Sequence, residues 1–160
     1  MTIVTIWPIL AAGVANVIIG WIWYHPKVFG TTWMRLSNIT PEMAERGKKK
    51  MPVSIIVSII AAMIMAWAMN YIGIAFQIYD WVGAVFELAL WSWLGFVVPV
   101  MLGSVLWEQR PLKLYFINVF YWLVSFIVMA LILVLGSQTL IAGSYSYDVQ
   151  GDPNTQYLGE

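Results

Sequence analysis

Few side chains in this sequence could do chemistry. There are eight Asp plus Glu, one His and no Cys among 160 residues. The most informative acid is Glu87, which lies inside the apolar stretch that starts near Trp81. It falls about six residues into that stretch, roughly 9 Å deep at helical rise. An ionised carboxylate at such depth is costly, so an intramembrane acid is a functional hypothesis by default. Asn70 and Asn16 fall in comparable layers of neighbouring apolar stretches. Together the three residues would form an intramembrane polar cluster. Its plain role is an interhelical hydrogen bond that fixes packing; its sharper role is proton or cation handling. A third arrangement has Glu87 reaching for the headgroups.

A second set, His25, Glu108 and Asn118, collects where apolar stretches end. As a histidine, His25 is a candidate to sense pH or hold a ligand; its plain role is a structural residue of the junction. Their matching depth allows a contact between His25 and Glu108. One His and scattered carboxylates make a poor metal set, because divalent sites want three or four convergent ligands. No metal and no cofactor are expected. The sequence has no P-loop, Rossmann fingerprint, HExxH or GxSxG.

These residues need elements to position them, and composition says which. The chain is 61% hydrophobic and 10% charged, against about half apolar and a quarter charged for soluble domains. Four apolar spans are predicted, at about residues 3–24, 52–76, 81–107 and 112–141. About 20 residues cross a ~30 Å hydrocarbon core as a helix. The fold class is therefore an all-α integral membrane protein with four transmembrane helices in one domain, residues 1–142. A signal peptide is the rival reading of the first span. No Lys or Arg precedes it and it is long for a signal core, so a true span is favoured.

Between spans one and two, residues 25–51 form a polar loop. Val28, Phe29, Trp33, Met34 and Leu36 alternate with polar groups there, which predicts an interfacial amphipathic segment. Thr40-Pro41-Glu42 reads as a helix start, with Thr as N-cap and Pro in the first turn. That helix is expected to end near Lys49, with Met51-Pro52 opening span two. Residues 143–160 read as a polar tail, with a turn at Gly151-Asp152-Pro153-Asn154.

Small residues recur every fourth position in three places: Ala12, Asn16 and Gly20; Ser54, Ser58, Ala62, Ala66 and Asn70; and Gly95, Pro99 and Gly103. Such faces let helices approach closely. Spans two and three are expected to pack on each other, because their link, Gln77-Ile78-Tyr79-Asp80, is short. Pro99 should bend span three. Asn118, Trp122, Ser125 and Met129 share one face of span four. Trp7, Trp23, Tyr24, Tyr79, Trp81 and Trp107 read as interface belts. Trp91, Trp93 and Trp122 sit deeper, in the packed bundle or along an apolar groove.

Six of the eight basic residues (Lys27, Arg35, Arg46, Lys48, Lys49, Lys50) are in the first loop, and Arg110 and Lys113 are in the third. The positive-inside rule places these loops in the cytoplasm of a plasma or inner membrane, with both termini extracytoplasmic. Lys48, Lys49 and Lys50 are expected to contact anionic lipid. The zero net charge argues against nucleic acid as a partner. Expected partners are membrane lipids and either a second copy or a partner membrane subunit.

Two stretches carry a resemblance. The first is Trp23-Tyr24-His25-Pro26-Lys27-Val28-Phe29-Gly30-Thr31-Thr32-Trp33-Met34. The second combines Trp93-Leu94-Gly95-Phe96, Trp107-Glu108-Gln109-Arg110-Pro111 and Ile117-Asn118-x-x-Tyr121. Over about residues 5–140 the chain resembles the small four-helix membrane family catalogued as domain of unknown function 1761. That family often has a small polar residue where this chain has His25. The resemblance implies an integral membrane domain and brings no reaction and no catalytic residues with it. The functional expectation is a non-enzymatic accessory or structural subunit. The alternative is a small oligomeric transporter or channel using Glu87, Asn70 and Asn16. An enzyme acting on an apolar substrate through His25 and Glu108 comes third.

Overall fold

The computed structural model describes residues 6–76, 78 and 83–151, with side chains through residue 136. Its elements are helices α1 (Ile6–Trp23), α2 (Thr31–Leu36), α3 (Pro41–Ala75), α4 (Gly83–Ser92), α5 (Val98–Leu106) and α6 (Leu112–Gly151). A π-turn at Pro26–Gly30 leads into α2, and a second at Trp93–Val97 joins α4 to α5. No strand occurs among the described residues. Among the described residues, four helical stretches are long and apolar enough to cross a membrane: Ile6–Trp23, Pro41–Ala75, Gly83–Leu106 and Leu112–Gly136. The protein is an all-α, multi-pass membrane protein.

Local chemistry sets the helix ends. Pro26 drives His25 out of the helical region, to φ −65° and ψ 141°, and this stops α1. Asn38 and Gln109 adopt left-handed φ of 55° and 53° after α2 and α5. There they let the chain close the helix ends through Ile39 N to Met34 O and Arg110 N to Ser104 O. Thr40 caps α3 as its sequence suggests, its hydroxyl accepting from Met43 N at 3.3 Å. The same hydroxyl holds the fully exposed Glu42 carboxyl below its ordinary pKa.

Two boundaries differ from expectation. The short loop helix and span two are one continuous 35-residue helix, α3, with Pro52 inside it. Proline removes one N–H and crowds the carbonyl four residues back. Here that carbonyl belongs to exposed Lys48, where water can satisfy it. Span four also continues as α6 into the stretch read as a polar tail, as far as Gly151. Most of the Gln77–Asp80 link and the turn beyond Gly151 lie outside the described residues, as do Tyr79 and Trp81 of the belts.

α6 is the hub. Half of its most apolar stretch is buried, against 11% for that of α3. It packs on α1 along one side and on α4 along another, while α3 packs mainly on α1. Lipid tails are as apolar as leucine, so close approach and hydrogen bonds hold such helices together. A Cβ on Gly13 would stand 2.7 Å from Met63 Cγ, and one on Gly136 would stand 2.5 Å from Pro8 Cγ. Both glycines therefore mark places where α1 is pressed against a neighbour. The α1 ladder faces inward as expected, with Ala12 and Asn16 buried and Gly20 against Tyr121. Ser125 and Met129 of α6 are wholly buried.

The expected packing of span two on span three is not what holds the bundle. α3 and α4 share few contacts, and each takes its main partner elsewhere, α1 for α3 and α6 for α4. Gly95 and Gly103 face open space: a methyl group added at either would meet nothing within 4 Å. Val85, Leu88 and Ala89 of α4 share one core with Phe126, Met129, Ala130 and Leu133 of α6. Pro99 lies just after the second π-turn, where Val98 N bonds to Trp93 O. That wider turn relieves the clash a proline makes with the preceding turn.

Candidate functional site

The most elaborated part of the molecule is the junction where α1 leaves the bundle and the first loop folds back on α6. It starts with two aromatic donors at the end of α1. Trp23 donates from Nε1 to Ile117 O at 3.1 Å, and the Tyr24 hydroxyl donates to Asn118 Oδ1 at 3.1 Å. A helical carbonyl has a second lone pair, so Ile117 O can accept without losing its helix bond. One turn further along α6, the Tyr121 hydroxyl lies 3.2 Å from Asn16 Oδ1 and 3.4 Å from Asn16 O. Its single proton is shared between those acceptors, and the pair is buried.

The loop then wraps this clamp. His25 Nδ1 accepts from Lys27 N at 3.2 Å and so caps the π-turn. Gly30 N and Val28 N both bond to His25 O, at 3.0 and 2.9 Å. The turn brings Phe29 to 4.7 Å from the Trp23 ring, and α2 brings Trp33 to 5.2 Å from Tyr24. Tyr24 is also 5.2 Å from Tyr121. Such tilted aromatic pairs add roughly 0.5–1.5 kcal/mol each beyond their buried area. Gly30 is required by space, since a Cβ there would sit 2.1 Å from Tyr24 O. Each named residue of the stretch from Trp23 to Trp33 thus has a structural task in one folded unit.

A family model described as protein of unknown function (DUF1761) matches residues 7–134. The chain belongs to the DUF1761 family. Searches of curated proteins and of solved structures returned no match. For this DUF1761 chain the junction gives a physical account of its Trp-Tyr-x-Pro-x-x-Phe-Gly-x-x-Trp-Met stretch. The same junction contains Asn118 and Tyr121 from the second stretch.

The other sequence candidates are dispersed. Glu87 is exposed on α4, beside buried Leu88 and Ala89. Asn16 is buried on α1 with Tyr121 as its partner, and Asn70 is half-buried on α3. Within one chain Glu87 therefore does not join Asn16. His25 and Glu108 do not meet either. His25 is engaged by its own turn, and Glu108 pairs with Arg110 at 3.6 Å. Lys48 pairs with Glu45 on the exposed start of α3, with Lys49 and Lys50 exposed beside it. No group of three His, Asp or Glu converges among the described residues. Tyr121, absent from the sequence candidates, is the partner of Asn16. The available signal is the Ile117-Asn118-x-x-Tyr121 stretch, four residues being one helical turn.

Apolar clefts among the described residues flank the junction and the bundle. One, of about 480 Å³, opens between Met65, Met69 and Ile72 of α3 and Phe96 and Val100 of the α4–α5 helix, over Trp122. Another, of about 540 Å³, lies between Trp23 and Phe29 on one side and the start of α6 on the other. Of the deeper tryptophans, Trp93 donates to Val119 O at 2.8 Å, while Trp91 faces outward.

Proposed function

We propose that this DUF1761 protein is a non-enzymatic accessory subunit of a membrane assembly. The observation that carries this reading is the free half of α3. From Met51 to Ala61 every side chain except Ile59 is exposed. Val53, Ile56, Val57 and Ile60 are each more than half exposed. In the same stretch Ser54 and Ser58 stand one turn apart and outward. Apolar residues alone would suit lipid there. Small hydroxyl residues at a four-residue spacing suit another helix, which can approach closely and accept a hydrogen bond. The farther half of the same ladder, Ala62 and Ala66, is already buried. The ladder thus runs past the edge of its own bundle.

The reading includes an orientation. All eight basic residues belong to the end of the bundle where α1 stops and α6 starts. The positive-inside rule makes that end cytoplasmic in a plasma or inner membrane, with both termini outside. The transporter alternative would need Glu87 to meet its partners across copies, since Glu87 faces outward.

The chain has no cysteine, so single-cysteine crosslinking is clean. Ser58→Cys, treated in native membranes with a thiol-directed photo-crosslinker, should give one discrete adduct with another membrane protein. Phe86→Cys, on the exposed face of α4, should not give it. An adduct with a second copy alone would replace the accessory reading with a homo-oligomer. Lipid adducts alone at Ser58→Cys would remove it.

A further inference from the structure

The cleft beside the junction has a chemistry of its own, and it does not depend on the partner of α3. We propose that it holds one anionic phospholipid, with the phosphate on Lys113 and an acyl chain along Phe116 and Phe120.

Its walls are Trp23 and Phe29 on one side and Leu112, Phe116, Ile117 and Phe120 on the other, with exposed Lys113 also in the lining. Leu112, Phe116 and Phe120 are spaced by four, so they form a stripe about 12 Å long at ~1.5 Å rise per residue. The rings lie nearly parallel. Phe116 and Phe120 are 6.1 Å apart at 22°, and Phe120 continues to Trp93 at 6.2 Å and 29°. A row of large apolar and aromatic side chains suits a methylene chain. It does not suit a docking helix, which favours small residues that admit its backbone. Every wall residue here is large.

Lys113 supplies charge complementarity. Arg110 is engaged by Glu108 at 3.6 Å. Lys113 is exposed and has no carboxylate within salt-bridge distance among the described residues. Lys27, two residues before Phe29, is in the same condition. Basic clefts between helices at the headgroup level are built to take acidic lipid headgroups. A neutral lipid would fill the aromatic wall and leave these lysines without a counter-charge.

The junction thereby acquires a purpose beyond its own stability. The π-turn capped by His25 is what carries Phe29 to Trp23, and those two rings are one wall of the cleft.

The test is native mass spectrometry of the purified full chain, titrated with phosphatidylglycerol or phosphatidylcholine. The wild type should retain one phosphatidylglycerol under detergent conditions that strip phosphatidylcholine. Lys113→Gln should weaken phosphatidylglycerol binding about fivefold, the equivalent of ~1 kcal/mol per basic residue near an anionic headgroup. Lys113→Arg should restore it. Phe116→Ala should lower phosphatidylglycerol retention, because the chain contact is lost. The triple change of Lys48, Lys49 and Lys50 to Gln should leave the tightly held lipid in place. Both Lys113 and Phe116 are exposed, and an unchanged melting temperature confirms that each variant is folded. Equal phosphatidylglycerol retention by wild type and Lys113→Gln would overturn the proposal. So would loss of the lipid in the triple variant alone, which would reduce the effect to general surface attraction. A second copy of the chain in place of lipid would overturn it as well.

Discussion

Gly30→Ala probes the junction at its tightest point. The added methyl would stand 2.1 Å from Tyr24 O and 2.9 Å from the carbonyl carbons of Tyr24 and His25. All three obstacles are backbone atoms, so no side-chain rotation can clear them. Gly30 has φ −59° and ψ −44°, a conformation any residue adopts. The penalty is therefore purely steric. Overpacking costs roughly 1–3 kcal/mol, at times more, and a rigid obstacle belongs at the upper end. Alanine returns about 1 kcal/mol through helix propensity. The net loss should be about 2 kcal/mol, which at roughly 2–4 °C per kcal/mol lowers the melting temperature by about 4–8 °C.

Gly47→Ala is the matched control. Gly47 lies in α3 and a Cβ there meets nothing within 4 Å. The same chemical change should be neutral or stabilising by up to ~1 kcal/mol. Thermal unfolding of both variants in one detergent, followed by tryptophan fluorescence and by monodispersity after heating, measures the difference. Gly30→Ala should lower the midpoint, and Gly47→Ala should leave it unchanged or raise it. Equal midpoints would refute the argument, because they would mean that the π-turn does not hold Gly30 against Tyr24 in the folded protein.

Two further outcomes follow from the same geometry. Tyr121→Phe should destabilise the protein by about 1 kcal/mol, near the upper part of the range for hydrogen bonds between membrane helices. A thermal double-mutant cycle with Asn16→Ala should show coupling of at least ~0.5 kcal/mol; strict additivity would mean that the two side chains do not share a bond. Glu87→Gln should not lower the melting temperature, because it removes an outward-facing carboxylate from a span, and should leave oligomeric state unchanged by size-exclusion with light scattering. A lost oligomer or a fall of many degrees would place Glu87 in an interface.

Periodicity makes the membrane architecture legible. Long runs of apolar residues without charge read as spans, and Ala12, Asn16 and Gly20 mark the inward face of α1. What periodicity lacks is the identity of the opposing helix. The α3 ladder reads as one uniform face, yet Ala62 and Ala66 are buried while Ser54 and Ser58 are exposed. Gly95 and Gly103 carry the same four-residue signal and face open space. A small residue permits close approach without requiring it. The short link between spans two and three makes them neighbours in sequence, but each takes its main partner elsewhere, α1 for α3 and α6 for α4. Depth counting fails in the same way for Glu87 and Asn16. Equal depth constrains one coordinate, and the angle around each helix, which decides contact, stays free.

The junction shows what closes that gap. Taken singly, His25 stands out as the one histidine, Trp23 and Tyr24 for the belt, and Gly30 only as part of a resemblance. In the structure their roles depend on one another. The extended backbone of His25 permits the π-turn, the turn needs a residue without Cβ where it passes Tyr24 O, and only then can Phe29 reach Trp23. Trp23 and Tyr24 are fixed in turn by Ile117 O and Asn118, one turn before Tyr121. A reading residue by residue assigns each the role common to its type. Reading the spacing as a single turn, with a glycine at the one position where the backbone passes close, places the loop against α6. It also leaves Lys113 and its aromatic wall as the feature that still needs an occupant.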